Sequence, residues 1–185
     1  MKPILREIPD QFESERLVIR WPRPGTGVLL NEAIRESFDD LKVWMPWAQT
    51  MQTLEESEEY VRQAHAKVIT RTDLVLHLFR KDTGALIGCS GIHPKNWDVP
   101  KFEIGYWCRT SCQGQGYITE AVKAITTFGF DVLTARRIEI RCDERNERSR
   151  RVAERAGYRL EAQFPNDAVS PDGHLRATLV FALTR

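Results

Sequence analysis

The stretch CQGQGYITEAV, residues 112 to 122, sets two glycines one residue apart directly before a run that reads as a helix. Gly114 and Gly116 free the backbone to turn several N–H groups the same way without side-chain obstruction. The helix that follows adds its unpaired first-turn donors and the positive end of its dipole, which Glu120 also suits. A nucleotide P-loop would need Lys and then Ser or Thr after the last glycine, where Tyr117 and Ile118 stand. A dinucleotide fingerprint would need glycine in place of Thr119, and would follow the first strand of its domain rather than a later one. Two readings remain open on the loop alone: a cradle for a diphosphate, and a plain tight turn from strand to helix.

The elements around the loop read outward in both directions. ERLVIRW (15 to 21) alternates Leu17, Ile19 and Trp21 as a strand does. GVLLNEAIRESFDDL (27 to 41) sets Leu30, Ala33, Ile34, Phe38 and Leu41 on one helical face. A second helix opens with Thr53 and Glu56 at capping-box spacing, and WMPW (44 to 47) lies between the two. DLVLHLFR, the turn KDTG, and ALIGCSGI form a predicted hairpin, followed by the strand KFEIGYWC (101 to 108). After the glycine loop and its helix come the strand RRIEIRC (136 to 142), a short helix ERSRRVAERAGY stopped by Gly157, and two closing strands. The order is βααβββαβαββ. It predicts an α/β fold: a central mixed, mostly antiparallel sheet with helices on both faces, in a single domain spanning 1–185.

Bulk composition excludes other classes. The 185 residues are 42% hydrophobic and 29% charged with a formal net charge of +1, an ordinary globular balance with no general pull toward nucleic acid or membrane. No apolar run nears membrane-span length and the N-terminus lacks a signal-peptide core, so the expected location is cytoplasmic. Four cysteines form no C-x-x-C pair, which predicts reduced thiols and no metal site. Between 136 and 155 eight arginines face five acids, interleaved as on a solvated helix face, with Arg150 or Arg151 placed to meet phosphates.

NERSRRVAERAGYRLE joins the glycine loop, ERLVIR, WMPW, GCSGIHPKNWDVPKFEIGYW and PDGHLRATLVFAL in one order along nearly the whole chain. In that order the chain resembles the GNAT superfamily of N-acetyltransferases, and within it the RimJ/RimL-type ribosomal-protein N-acetyltransferases. The resemblance implies acetyl-CoA as cosubstrate and a primary amine as acceptor, attacked directly in a ternary complex. The acceptor it implies is the N-terminal α-amine of a ribosomal or other protein, with a small-molecule amine as the alternative. A non-catalytic acyl-CoA sensor on the same fold is a further class, and both monomers and homodimers occur among relatives.

Residue by residue, the resemblance maps the superfamily loop onto Gln113, Gly114, Gln115, Gly116, Tyr117 and Ile118, with Thr119 following. Ile118 departs from the pattern, since a small residue is usual there. Glu103 falls where a carboxylate serves as base, and the Trp107 N–H where the oxyanion is met. Tyr106 to Cys108 would pair with the pantetheine arm, and Asn146 would bond it. Ser149 would protonate the leaving thiolate, although helix capping accounts for Asn146 and Ser149 equally well. Trp44 and Trp47 would line the acceptor mouth.

Overall fold

A computed structural model describes residues 2–185. One eight-stranded sheet organises it, in the order β1-β2-β3-β4-β5-β6-β8-β7. Its strands are β1 (Gln11–Glu13), β2 (Leu17–Arg20), β3 (Val75–Arg80), β4 (Leu86–Asn96), β5 (Lys101–Cys108), β6 (Arg137–Asp143), β7 (Arg159–Val169) and β8 (Leu175–Thr184). The helices are α1 (Gly27–Trp44), α2 (Leu54–Thr70), α3 (Tyr117–Asp131) and α4 (Glu147–Arg155). The expected order lacks one strand. β1 has three residues, too few to show a two-residue period, and is held by pairing Phe12 with Ile19 while the Phe12 ring stacks on Phe128 at 4.5 Å. α1 also runs on to Trp44, so the first tryptophan of WMPW closes a helix instead of lying between two.

Alternation along the strands sorts side chains into two cores. Leu76, Leu78, Ile92, Phe102, Ile104 and Ile138 pack with α3 on one face. Phe79, Leu86 and Cys89 pack with Leu30, Ile34 and Leu41 of α1 on the other. The predicted capping box of α2 is present, with Thr53 accepting from the Glu56 N–H and Glu56 accepting from the Thr53 N–H. The N-terminus of α1 is capped from a distance: the Glu58 carboxylate accepts from the N–H groups of Gly25 and Gly27, at 2.7 and 2.9 Å. A Cβ on Gly27 would stand 2.5 Å from the Glu58 Cα, so this approach of the two helices requires glycine.

One pairing shapes the site. Every neighbouring pair of strands is antiparallel except β5 and β6, which run parallel. They stay in register from Lys101↔Arg137 to Glu103↔Glu139 and then part. β5 follows β4 to Cys108↔Gly88, whereas β6 follows β8 to Asp143↔Thr178. The result is a wedge-shaped gap in the middle of the sheet.

His77 of β3 is 1% exposed beneath α1 and α2, and its Nε2 has no partner among the described residues. Burial, with Arg20 adding to it, pulls its imidazole down to about 4. The folded state therefore holds His77 neutral while the unfolded chain takes up its proton first. This contribution to stability is present above the unfolded value and disappears as pH falls toward 4. Replacing His77 with Phe should flatten the acid side of the unfolding curve between pH 6.5 and 4, by roughly 3 kcal/mol at its lower end. Denaturant titrations of both proteins across that range measure it.

Candidate active site

The glycine loop arrives at α3 through a short turn that α1 holds in place. Glu36 accepts from Arg109 Nε and from the Ser111 N–H, and Ser37 Oγ accepts from the Thr110 N–H. Asp40 accepts from Thr110 Oγ1 and from Gln113 Nε2, while Gln113 Oε1 accepts from Arg148 of α4 at 2.7 Å. Gln113 thus braces α1 against α4. On the far side Glu120 accepts from Ser14 Oγ, the Arg16 N–H and Arg16 Nε, at 2.6 to 2.7 Å. Burial pushes the Glu120 carboxyl up, but these bonds outweigh it and hold the group below its ordinary range.

With both flanks fixed, Gly114 and Gly116 take φ values of +74° and +80°. The space where a Cβ would sit is open at Gly114, and at Gly116 it meets only the Arg16 guanidinium at 3.6 Å. Among the described residues, no protein group accepts from the N–H of Gly114, Gln115, Gly116, Tyr117, Ile118 or Thr119; the next donor, Glu120, returns to Gly116 O. Six successive amides are left for something else. The Tyr117 and Ile118 side chains are buried in the core, so the β-branched residue at 118 turns inward and its amide stays with the row. The Gln115 side chain folds back onto Ser111 O.

The open edge of β5 lies beside this row. The Arg109 N–H donates to Ile87 O at 2.7 Å, and Gly105 O accepts from Ser90 Oγ of β4 at 2.7 Å. Pro100 O accepts on the β6 side, from the Arg136 N–H at 2.9 Å. Backbone direction alternates along a strand, so odd-numbered peptide groups face β4 and even-numbered ones face β6. The Trp107 N–H therefore points at Cys89, its ladder partner, and not into the gap. That corrects the expected oxyanion donor: the groups that face the gap where β6 has left are those of Ile104, Tyr106 and Cys108.

A cavity of about 730 Å³ joins the loop, the β5 edge and α4. Ser149 lines it, with its N–H bonded to Asn146 Oδ1 at 3.0 Å, which is the N-cap of α4. The Tyr106 hydroxyl lies 3.0 Å from both Ser149 O and Ser149 Oγ. Burial raises the Tyr106 hydroxyl above its ordinary range, a rise that the Ser149 contact only partly opposes. Arg151 lines the cavity and pairs with Glu147 at 3.2 Å, but Arg150 turns away to Glu154. Sequence reasoning missed Arg148 and Arg155, which share the Arg151 face. Their spacing, 148, 151 and 155, was the available signal. Trp44 lines the cavity, while Trp47 stands beside it with its ring 6.4 Å from that of Trp107.

Glu103 faces a different space. It lines a second cavity of about 480 Å³ with Glu139, Asp167 and Thr178, and is paired with Lys95 at 3.1 Å. Arg141 and Arg176 border both cavities, which therefore approach each other at the gap in the sheet.

A family model for the acetyltransferase (GNAT) domain matches residues 16–159. The chain belongs to this family. It is 31% identical over 150 residues to the ribosomal-protein-serine acetyltransferase of Escherichia coli, covering 75% of this chain and 81% of that protein. The fold is that of MccE, a self-immunity acetyltransferase solved with acetyl-CoA and AMP, at TM-score 0.87 and 19% identity over 96% of this chain and 98% of that one. It is also that of RimL, a ribosomal α-N-protein acetyltransferase solved with coenzyme A, at TM-score 0.85 and 21% identity over 96% and 97%. The chain is thus a GNAT N-acetyltransferase.

Cys108 does not have the character of a nucleophile. Cys108 lines the large cavity, but burial, with Cys112 adding to it, pushes its thiol up to about 12. Cys108→Ala and Cys112→Ala should each keep acetyl-transfer turnover within twofold of wild type; a loss above tenfold in a folded variant would assign a thiol to the chemistry.

Proposed function

We propose that this GNAT acetyltransferase moves acetyl from acetyl-CoA to the N-terminal α-amine of a ribosomal or other protein, by direct attack in a ternary complex. The observation that carries the donor half is the row of six amides from Gly114 to Thr119 that no group among the described residues accepts from. A diphosphate fits such a row at a helix start. Arg148, Arg151 and Arg155 border the same cavity and supply cations for phosphates. The free edge of β5 at Tyr106 and Cys108 suits the amides of a pantetheine arm added like a strand. Asn146 reaches the same cavity and, with its Oδ1 used in the cap, offers its amide N–H. When bound, the thioester supplies an activated acyl group; the protein positions it, stabilises charge and moves protons.

Each requirement has a group. The Cys108 N–H, at the open end of the strand, meets the oxygen that gains charge when the amine attacks. Ser149 Oγ is the proton donor for the departing sulfur, and Tyr106, kept protonated by burial, stands behind it at 3.0 Å. The amine enters through the neighbouring cavity lined by Glu103, whose carboxylate already holds one ammonium, that of Lys95. Trp44 and Trp107 shield the reacting centre from water. An α-amine suits this site: with a pKa near 8, roughly a tenth of it is neutral at pH 7, against about one lysine in a few thousand. The Escherichia coli relative, named for a ribosomal-protein serine, supports the same acceptor class.

A thiol-release assay with acetyl-CoA and a panel of N-terminal peptides, lysine peptides and small amines tests this. Peptides with a free α-amine should turn over and their N-acetylated forms should not. Turnover of one small amine with failure of every peptide would assign a small-molecule acceptor, and binding without any turnover would assign a sensor. Ser149→Ala should lower kcat ten- to a hundredfold with little change in acetyl-CoA affinity.

A further inference from the structure

On the face where the amine enters, β4 carries a histidine opposite Glu103 in the ladder. His93 Nδ1 lies 2.6 Å from Asp73 Oδ1, and that carboxylate also accepts from the Leu74 N–H at 2.9 Å. Burial pushes the Asp73 carboxyl up, but its bond to His93 and the charges around it bring it below its ordinary range. An ionised carboxylate only accepts, so Nδ1 must carry the proton and donate it. In the neutral ring, Nε2 is then left with a lone pair.

The ring lies across two glycines. A Cβ on Gly91 would fall 2.4 Å from His93 Cε1 and 2.5 Å from Nε2. A Cβ on Gly105 would be in ordinary contact with Nε2, at 3.5 Å. Gly105 also lines the large cavity, one residue before the point where the free edge of β5 presents Tyr106. No protein group accepts from or donates to Nε2 among the described residues, and the side chain is 33% exposed, which leaves a route for a proton to solvent. The charged and titratable groups around the pair are Asp73 itself, Glu103 on β5, Lys95 on β4, and Lys67 and Tyr60 on α2.

We propose that His93, oriented by Asp73, is the base that takes the proton from the acceptor amine, with Glu103 attracting the amine rather than deprotonating it. The inference rests on the acetyltransferase reading above. The amine lone pair forms the N–C bond, and the surplus proton on nitrogen passes to Nε2 and then to solvent. The C–S bond breaks with its electron pair on sulfur, which takes the Ser149 Oγ proton, and a proton from solvent, equal to the one His93 releases, restores the Ser149 hydroxyl. His93 would be a catalytic residue and Asp73 a positioning residue that fixes the tautomer.

Wild-type thiol release first establishes turnover. His93→Ala should then lower kcat/KM for an α-amine peptide at least a hundredfold while acetyl-CoA affinity stays within twofold. Added imidazole should restore at least tenfold, and the loss should shrink for a weakly basic acceptor such as a peptide hydrazide. Where His93→Ala does not fold, His93→Gln is read in the same way. Nitrogen-15 NMR of the ring, which needs no turnover, should place the proton on Nδ1 in wild type and on Nε2 in Asp73→Asn. Retention of more than half of kcat/KM without His93 would overturn the proposal. So would a loss that imidazole does not restore and that is equal for acceptors of every basicity, or a proton found on Nε2 in the wild type.

Discussion

Six backbone amides with no acceptor among the described residues are the constraint on which the rest of the site depends. An unpaired amide row is unfavourable in a folded chain unless water or a ligand meets it. Here it is held open from both sides. Glu36, Ser37 and Asp40 of α1 fix the turn before it, and Glu120 ties its helix to the turn between β1 and β2. The two positive-φ glycines let the chain pass between those anchors with its N–H groups outward. The polar side chains of α1 are thus spent on the shape of a neighbouring loop.

The second constraint is the single parallel pair. α3 crosses from the end of β5 to the start of β6, so these strands must run parallel, yet only three residues of each remain aligned. Beyond that, β4 and β8 pull them apart. One opening then serves two faces. The large cavity takes its lining from both faces, with the amide row, Ser149 and the arginines of α4 on one and Leu41, Trp44 and Met45 of α1 on the other, and it meets the charged cavity of Glu103 at Arg141 and Arg176.

What was legible in the sequence was local. The capping box at Thr53 and Glu56, the stop at Gly157 and the helix opened by Gly116 depend on residues within a turn of one another, and the structure has all three. The position of Ser149 follows from its place one turn into α4. The direction of the Trp107 N–H did not follow from the strand that contains it. It is set by pairing with Cys89, about twenty residues away, and a shift of one residue would have reversed it. The relation of His93 to Gly91, Gly105 and Asp73 needs that register too, as well as the loop before β3. β1 was invisible because three residues carry no period.

The central claim concerns the amides themselves, and backbone NMR reads them one by one. On titration with coenzyme A, the largest proton and nitrogen shift changes should fall on Gly114 to Thr119, with smaller ones at Tyr106 and Cys108 and little change in β7. Saturable shifts that centre elsewhere, with the 114 to 119 amides unmoved, would contradict the account.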